Sequence, residues 1–119
     1  MKKYKFSYDK DDDNLFLFNP KSKSKGSIEM GDVVLDFNTH KELVGIQIIN
    51  ASKFIEDFVD VTSSAIKELL ADLIECKIDV KFKKNLMILK IYLSGHKIKI
   101  APVISMPSIK ETSPALAYV

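Results

Sequence analysis

The segment Ala65-Ile66-Lys67-Glu68-Leu69-Leu70-Ala71-Asp72-Leu73-Ile74-Glu75-Cys76-Lys77-Ile78-Asp79-Val80-Lys81-Phe82 changes its apolar period partway along. In its first half Ile66, Leu69, Leu70, Leu73 and Ile74 recur as one stripe of a helix, with Lys67, Glu68, Asp72 and Glu75 off it. Beyond Cys76 the period is two: Ile78, Val80 and Phe82 face one side, and Lys77, Asp79, Lys81 and Lys83 the other. A helix that gives way to a half-buried strand sets the fold class as α+β with an antiparallel sheet.

Working outward, Phe54, Ile55, Phe58 and Val59 continue the helical period on the N-terminal side, with Ser52 as N-cap. Asp60 to Ser64 interrupts it with capping residues, so the central helical segment spans about 52–76. Before it, two hairpins are expected. Tyr4, Phe6 and Tyr8 alternate with Lys3, Lys5 and Ser7, turn at Asp9-Lys10-Asp11-Asp12-Asp13-Asn14, and continue into Leu15 to Phe18. Asn19 to Ser27 reads as a solvated loop, and Asp32 to Phe37 pairs with Leu43 to Asn50 across the turn 38–42. After the central segment comes a three-stranded meander. Its strands are the one beginning at Lys77, Leu86 to Leu93, apolar on nearly both faces, and His96 to Ile100. Residues 102–119 carry Pro102, Pro107 and Pro114 and read as an extended, irregular tail. The whole, 1–119, is expected to be a single domain, since 119 residues are too few for two cores.

Two stretches resemble a known family. Tyr8-Asp9-Lys10-Asp11-Asp12-Asp13-Asn14-Leu15-Phe16-Leu17, followed by Val33-Val34-Leu35-Asp36-Phe37 and Leu43-Val44-Gly45-Ile46-Gln47-Ile48-Ile49-Asn50-Ala51-Ser52, is similar to the small prokaryotic proteins called domain of unknown function 2283. The resemblance covers about residues 4–52 and implies no established activity. Two positions depart from the family pattern. The turn at 38–42 lacks its usual glycine, and Gln47 stands where a glutamate is usual.

Composition limits the function classes. At 46% hydrophobic and 29% charged, the chain is ordinary globular protein. The lone Cys76 excludes an intrachain disulfide and a thiolate zinc site built by this chain alone. No apolar run reaches the length of a membrane-spanning helix, and the start Met1-Lys2-Lys3-Tyr4-Lys5-Phe6 has the charge of a secretion signal without its apolar run, so the expected compartment is the cytoplasm. All 18 basic residues are lysine, which cannot form the planar fork that reads guanine edges.

Several residue groups invite chemistry. Asp9, Asp11 and Asp13 occupy alternate positions as in a calcium loop, but Asn14 stands where glycine is needed and Pro20 where the bidentate glutamate belongs, so no metal is expected. Asp32 and Asp36 share a strand face about 13 Å apart, too far to work on one atom. His40 and His96 lie apart, and Gly45 inside a strand marks a bulge or a close backbone approach. No catalytic residues and no cofactor are expected. The stretch 77–99 holds seven lysines against one acid, and alternation sets Lys77, Lys81 and Lys83 on one face with Lys97 and Lys99 beside them. These five would be the residues of a sequence-independent nucleic-acid site. In the tail, Ile104, Met106, Ile109, Leu116, Tyr118 and Val119 are apolar residues to be covered by a second subunit.

The sequence thus predicts a non-enzymatic cytoplasmic interaction protein, a homodimer that binds another protein, with nucleic-acid binding through the lysine-rich sheet as the alternative. Light scattering on the full chain and on a version ending at Lys110 tests the dimer: a dimeric mass for the first and a monomeric mass for the second are expected, and equal monomer masses would remove it.

Overall fold

Strand β1 (Lys2–Asp9) has two partners, one at each end. Lys2 to Tyr4 pair with Ile78 to Cys76 of β6 (Leu73–Lys83), whereas Lys5 to Asp9 pair with Phe18 to Asn14 of β2 (Asn14–Phe18). The computed structural model describes residues 2–107, and this one strand joins its two sheet halves. On one side β2 leads to β5 (Leu43–Ile48), β4 (Val33–Phe37) and the edge strand β3 (Gly26–Met30). On the other, β6 leads to β7 (Leu86–Gly95), whose far edge carries both β8 (Lys99–Ile100) and β9 (Val103–Pro107). Every pairing is antiparallel.

The register sets one apolar side chain of each rung on the same face across all these strands. Leu35 lies opposite Ile46, Ile46 opposite Leu17 and Leu17 opposite Phe6; past β1 the row continues from Tyr4 to Cys76 and Leu93. These inward residues form a single core cluster with Ile55 of helix α1 (Ala51–Glu56) and Ile66, Leu69 and Leu70 of helix α2 (Ser63–Ala71). Two helices of six and nine residues cannot roof nine strands, so the sheet itself curls over the core, turning at the strand that changes partners. Tyr4 ties the turn: its ring is buried and its hydroxyl donates to Leu43 O at 2.9 Å, linking β1 to the start of β5.

The α+β class and both N-terminal hairpins match the sequence reading, and the details differ where tertiary contacts intervene. The expected helical segment 52–76 is two helices that end by Ala71; Leu73 and Ile74 belong to β6, with Leu73 opposite Gly95. The bend comes from Asp72, whose carboxylate is held by His96 of the following turn, and from Gly95, where a Cβ would lie 2.5 Å from Leu69 Cδ1. Ser52 is not the N-cap of α1. Asn50 occupies that position in the left-handed region without a side-chain cap, and Asp13 caps from outside. Thr62 caps α2, its hydroxyl accepting from Ala65 N.

Part of the predicted loop 19–27 and the residues after it form β3, half-buried only on alternate residues. The strand expected at His96–Ile100 shrinks to Lys99–Ile100, because Gly95 N donates to Ile98 O and His96 is drawn to Asp72. The tail is not irregular at its start: Val103 to Pro107 pair with Lys90 to Leu86. Pro102 precedes this strand and Pro107 ends it, positions where a missing N–H costs little, and Pro102 O accepts from Ile91 N.

The missing glycine of the turn 38–42 is replaced by hydrogen bonds. Lys41 adopts φ 62°, and the Asn38 side chain holds the turn by accepting from His40 N and Glu42 N and donating to Glu42 Oε1. Gly45 is where β5 comes close to a side chain of β4, since a Cβ there would stand 3.0 Å from Asp36 Oδ2; the register also shifts between Asp36 and Phe37.

The acidic turn reaches into the core. Asp13, at φ 57°, is buried; its carboxylate accepts from Tyr8 Oη at 2.6 Å, from Ser52 Oγ at 2.7 Å and from Ser52 N at 3.2 Å, while its carbonyl accepts from Ala51 N. Burial alone would raise its pKa, but the bonds from Tyr8 and Ser52 outweigh burial and hold it below the ordinary aspartate value. A depressed folded-state pKa contributes stability that is complete above the unfolded-chain pKa and is lost as pH falls through the folded one. Asp13→Asn keeps the size and tolerates the left-handed backbone, so it isolates the charge; it should cost about 2 kcal/mol at neutral pH and flatten the acid dependence of stability. Urea titrations at neutral and acidic pH check both, and an unchanged midpoint at neutral pH would refute the role.

Candidate functional site

Where one face of each strand points into the core, the other points outward, and on β6, β7, β8 and β9 the register orders that outer face in rungs. Glu75 lies opposite Ser94, which lies opposite Lys99; Lys77 lies between Lys3 of β1 and Tyr92; Asp79 pairs with Lys90, which pairs in turn with Val103. Lys81 pairs with Ile88, whose other partner is Ser105, and Lys83 with Leu86, whose other partner is Pro107. Six lysines therefore share this face with two acids. Glu75 is occupied: its carboxylate bridges Lys3 at 3.1 Å and Lys77 at 3.4 Å, and hydrogen bonds from Lys3 and then Lys77 hold its pKa below the usual value. Lys90 Nζ sits over the Tyr92 ring, 5.1 Å from its centroid.

Strand β7 accounts for the character of the surface. Met87, Leu89, Ile91 and Leu93 point inward and are buried. Leu86, Ile88 and Tyr92 point outward with Lys90, and neither helix covers them; Leu86 is 47% exposed, and Val103, opposite Lys90 on β9, is 46% exposed. The result is an aliphatic strip along β7 and β9 with the lysines of β6 along one side.

Of the five lysines expected to gather, Lys77, Lys81 and Lys83 share this face, and Lys99 joins it opposite Ser94. Lys97 does not. It lies in the turn between β7 and β8 and lines a cavity against α2, because the contact between His96 and Asp72 pulls that turn off the sheet. Sequence reasoning missed Lys3 and Lys90 on this face. Reading β7 as apolar on both faces concealed the alternation that projects Lys90 outward with Leu86, Ile88 and Tyr92.

The expected tail interface also changes. Ile104 and Met106 face inward opposite Leu89 and Met87 and are core residues of their own chain, so they are not surfaces for a second subunit. They are buried because β9 completes the edge of β7. Ile109, Leu116, Tyr118 and Val119 lie outside the described residues.

The remaining candidates serve the fold. Asp9 Oδ1 accepts from Asp11 N and Asp12 N, and Asp13 is turned inward, so the alternate aspartates of the acidic turn do not converge as ligands would. Asp36 accepts from Ser27 Oγ on the edge strand, while Asp32 lies in the turn before β4. Among the described residues no three His, Cys, Asp or Glu side chains gather as a metal site would require. No helix among them is long and apolar enough to cross a membrane.

The comparisons with known proteins place this antiparallel sheet and its two short helices in a family. Residues 5–52 match the family model described as a protein of unknown function, DUF2283. An uncharacterized protein of the archaeon Methanocaldococcus jannaschii is 37% identical over 98 residues, 80% of this chain and 78% of that one. The chain belongs to the DUF2283 family. The archaeal alignment is too long to end with the family segment, so the likeness runs on into the helices and the C-terminal sheet. No solved structure matches the chain.

Cys76 is fully buried in β6, and burial, with Glu75 beside it, pushes its thiol up to about 12. It therefore stays protonated and shielded at neutral pH. A disulfide reagent such as dithionitrobenzoate should leave the native protein unlabelled and react at once in denaturant; prompt labelling of the native protein would contradict this burial.

Proposed function

We propose that this is a binding protein, not a catalyst, and that the outer face of β6, β7 and β9 holds a protein partner. One observation carries the reading: β7 has one set of apolar side chains facing inward and another facing outward, and the described residues 2–107 fully bury only the inward one. Fully covering a side chain such as Leu86 or Val103 contributes roughly 1.5–3 kcal/mol, so this strip offers a partner free energy that the isolated fold leaves unused.

The surrounding charge gives the partner's chemistry. Lys81, Lys83 and Lys90 border Ile88 and Leu86, which suits an aliphatic surface with an acidic rim. Their long stems extend the apolar contact while their ammonium groups remain in water. Such charges steer encounters and reject wrong partners more than they add affinity. The same lysines oppose the approach of an identical face, which favours a different protein over a symmetric copy docked here.

A photo-crosslinking residue in place of Ile88, introduced in cells, tests the proposal. A discrete protein adduct is expected, and it should disappear when Lys81 and Lys83 are both replaced by glutamate. The same adducts from the charge-reversed protein would overturn the reading.

The in-register lysines of β6, together with Lys90 and Lys99, favour nucleic acid as the second reading. Repeated cations on one face neutralise phosphates irrespective of sequence. Gel retardation of single-stranded RNA and duplex DNA at low salt decides it. A complex that weakens steeply with added salt, and is lost on reversing Lys81 and Lys83, would put this reading first; free migration would end it.

A further inference from the structure

On the opposite side of the C-terminal sheet, the bend that ends α2 borders a half-open cavity of about 500 Å³ between that helix, the β7–β8 turn and Lys10 of the acidic turn. Gly95 makes the enclosure possible, because a side chain there would meet Leu69 and push the turn away from the helix. The wall is apolar: Ala65, Leu69 and Ala71 come from α2, and Ile98 faces them from the turn. The rim carries charges of both signs, two lysines and a histidine beside two acids. Lys10 enters from the acidic turn, and Lys97 and His96 from the β7–β8 turn.

Two acids, Glu68 and Asp72, also line the cavity, and Asp72 is already engaged. Its Oδ1 lies 2.8 Å from His96 Nδ1, and its Oδ2 accepts from His96 N at 3.1 Å. These bonds, the side-chain one foremost, hold its carboxyl below the usual aspartate value, so it remains an acceptor and Nδ1 carries the hydrogen. The Asp72 carboxylate thereby orients the imidazole at the rim. Glu68 is left as the acid not tied to His96, against Lys10 and Lys97.

We propose that this cavity binds a small organic anion: an apolar chain or ring seated on Ala65, Leu69, Ala71 and Ile98, with a single carboxylate held at the rim by Lys10 and Lys97 beside His96. The volume lies in the range of small-molecule sites, and the division into an apolar wall and a few polar groups is their usual form. Lysine suits this task, since a point charge on a flexible stem can follow a carboxylate without the geometric demand of a fork. The site is separate from the outer sheet face and does not depend on it.

Octanoate is the probe, with octanol as its uncharged counterpart, followed by amide and imidazole chemical shifts of the full chain. Saturable shifts centred on Ala65, Leu69, Ala71, His96 and Ile98 are expected from octanoate and not from octanol. Replacing Lys10 and Lys97 together by glutamate should weaken binding by about tenfold or more, since two exposed charges change sign beside the anion. Both lysines are exposed, so the variant should retain the wild-type spectrum away from the cavity. His96→Gln, which can still donate to Asp72, should weaken binding while leaving the turn in place. Equal binding of octanol, unchanged affinity in the double variant, or shifts mapping elsewhere would each overturn the proposal.

Discussion

The fold depends on the division of β1 between two neighbours. A single sheet with one apolar face has to cover that face, and two short helices supply far too little surface for nine strands. By pairing Lys2 to Tyr4 with β6 and Lys5 to Asp9 with β2, the chain turns the sheet on itself and lets one half help cover the other. Tyr4 stands at that turn, buried among the core residues, with its hydroxyl satisfied by the Leu43 carbonyl. A buried phenol without that acceptor would be costly, so the contact also fixes where β5 starts.

Polar groups at the joints hold the curled sheet in place. Asp13 joins the first hairpin to α1, Asp72 joins α2 to the β7–β8 turn, and Glu75 spans Lys3 and Lys77 across the junction of β1 and β6. The three differ in weight. Asp13 is buried and multiply bonded, whereas the Glu75 bridges and the Asp72–His96 pair stand largely in solvent, where such pairs contribute little. The first link therefore stabilises, and the others mainly position a strand end and a turn. Positioning matters here because the β7–β8 turn forms one wall of the cavity beside α2.

Curling the sheet has a consequence for the surface. Among the described residues one face of β7 is sealed and the other keeps its aliphatic side chains partly exposed, and β9 extends that strip by Val103. On the binding reading proposed above, the lysines of β6 and Lys90 of β7, which border this strip, would bias the selection of what meets it. The absence of arginine restricts that selection to charge and shape, without planar bidentate recognition.

Local pattern determined the parts of this structure that local physics controls. The period-two segments gave the β1–β2 and β4–β5 hairpins and the faces of β6. The 3.6-residue stripe gave α2, and the lysine column Lys77, Lys81 and Lys83 followed from alternation alone. Position in space was not encoded so locally. Leu73 and Ile74 fit a helix stripe and a strand equally well, and only Gly95 opposite Leu73 and His96 holding Asp72 made them strand. Ile104 and Met106 looked exposed because their cover, β7, lies more than ten residues away in the chain. Lys97 alternates correctly for the sheet face, yet a hydrogen bond made by its neighbour carries it to the cavity instead. A side chain's face is written in its nearest neighbours, but what lies against that face depends on which distant strand or turn arrives there.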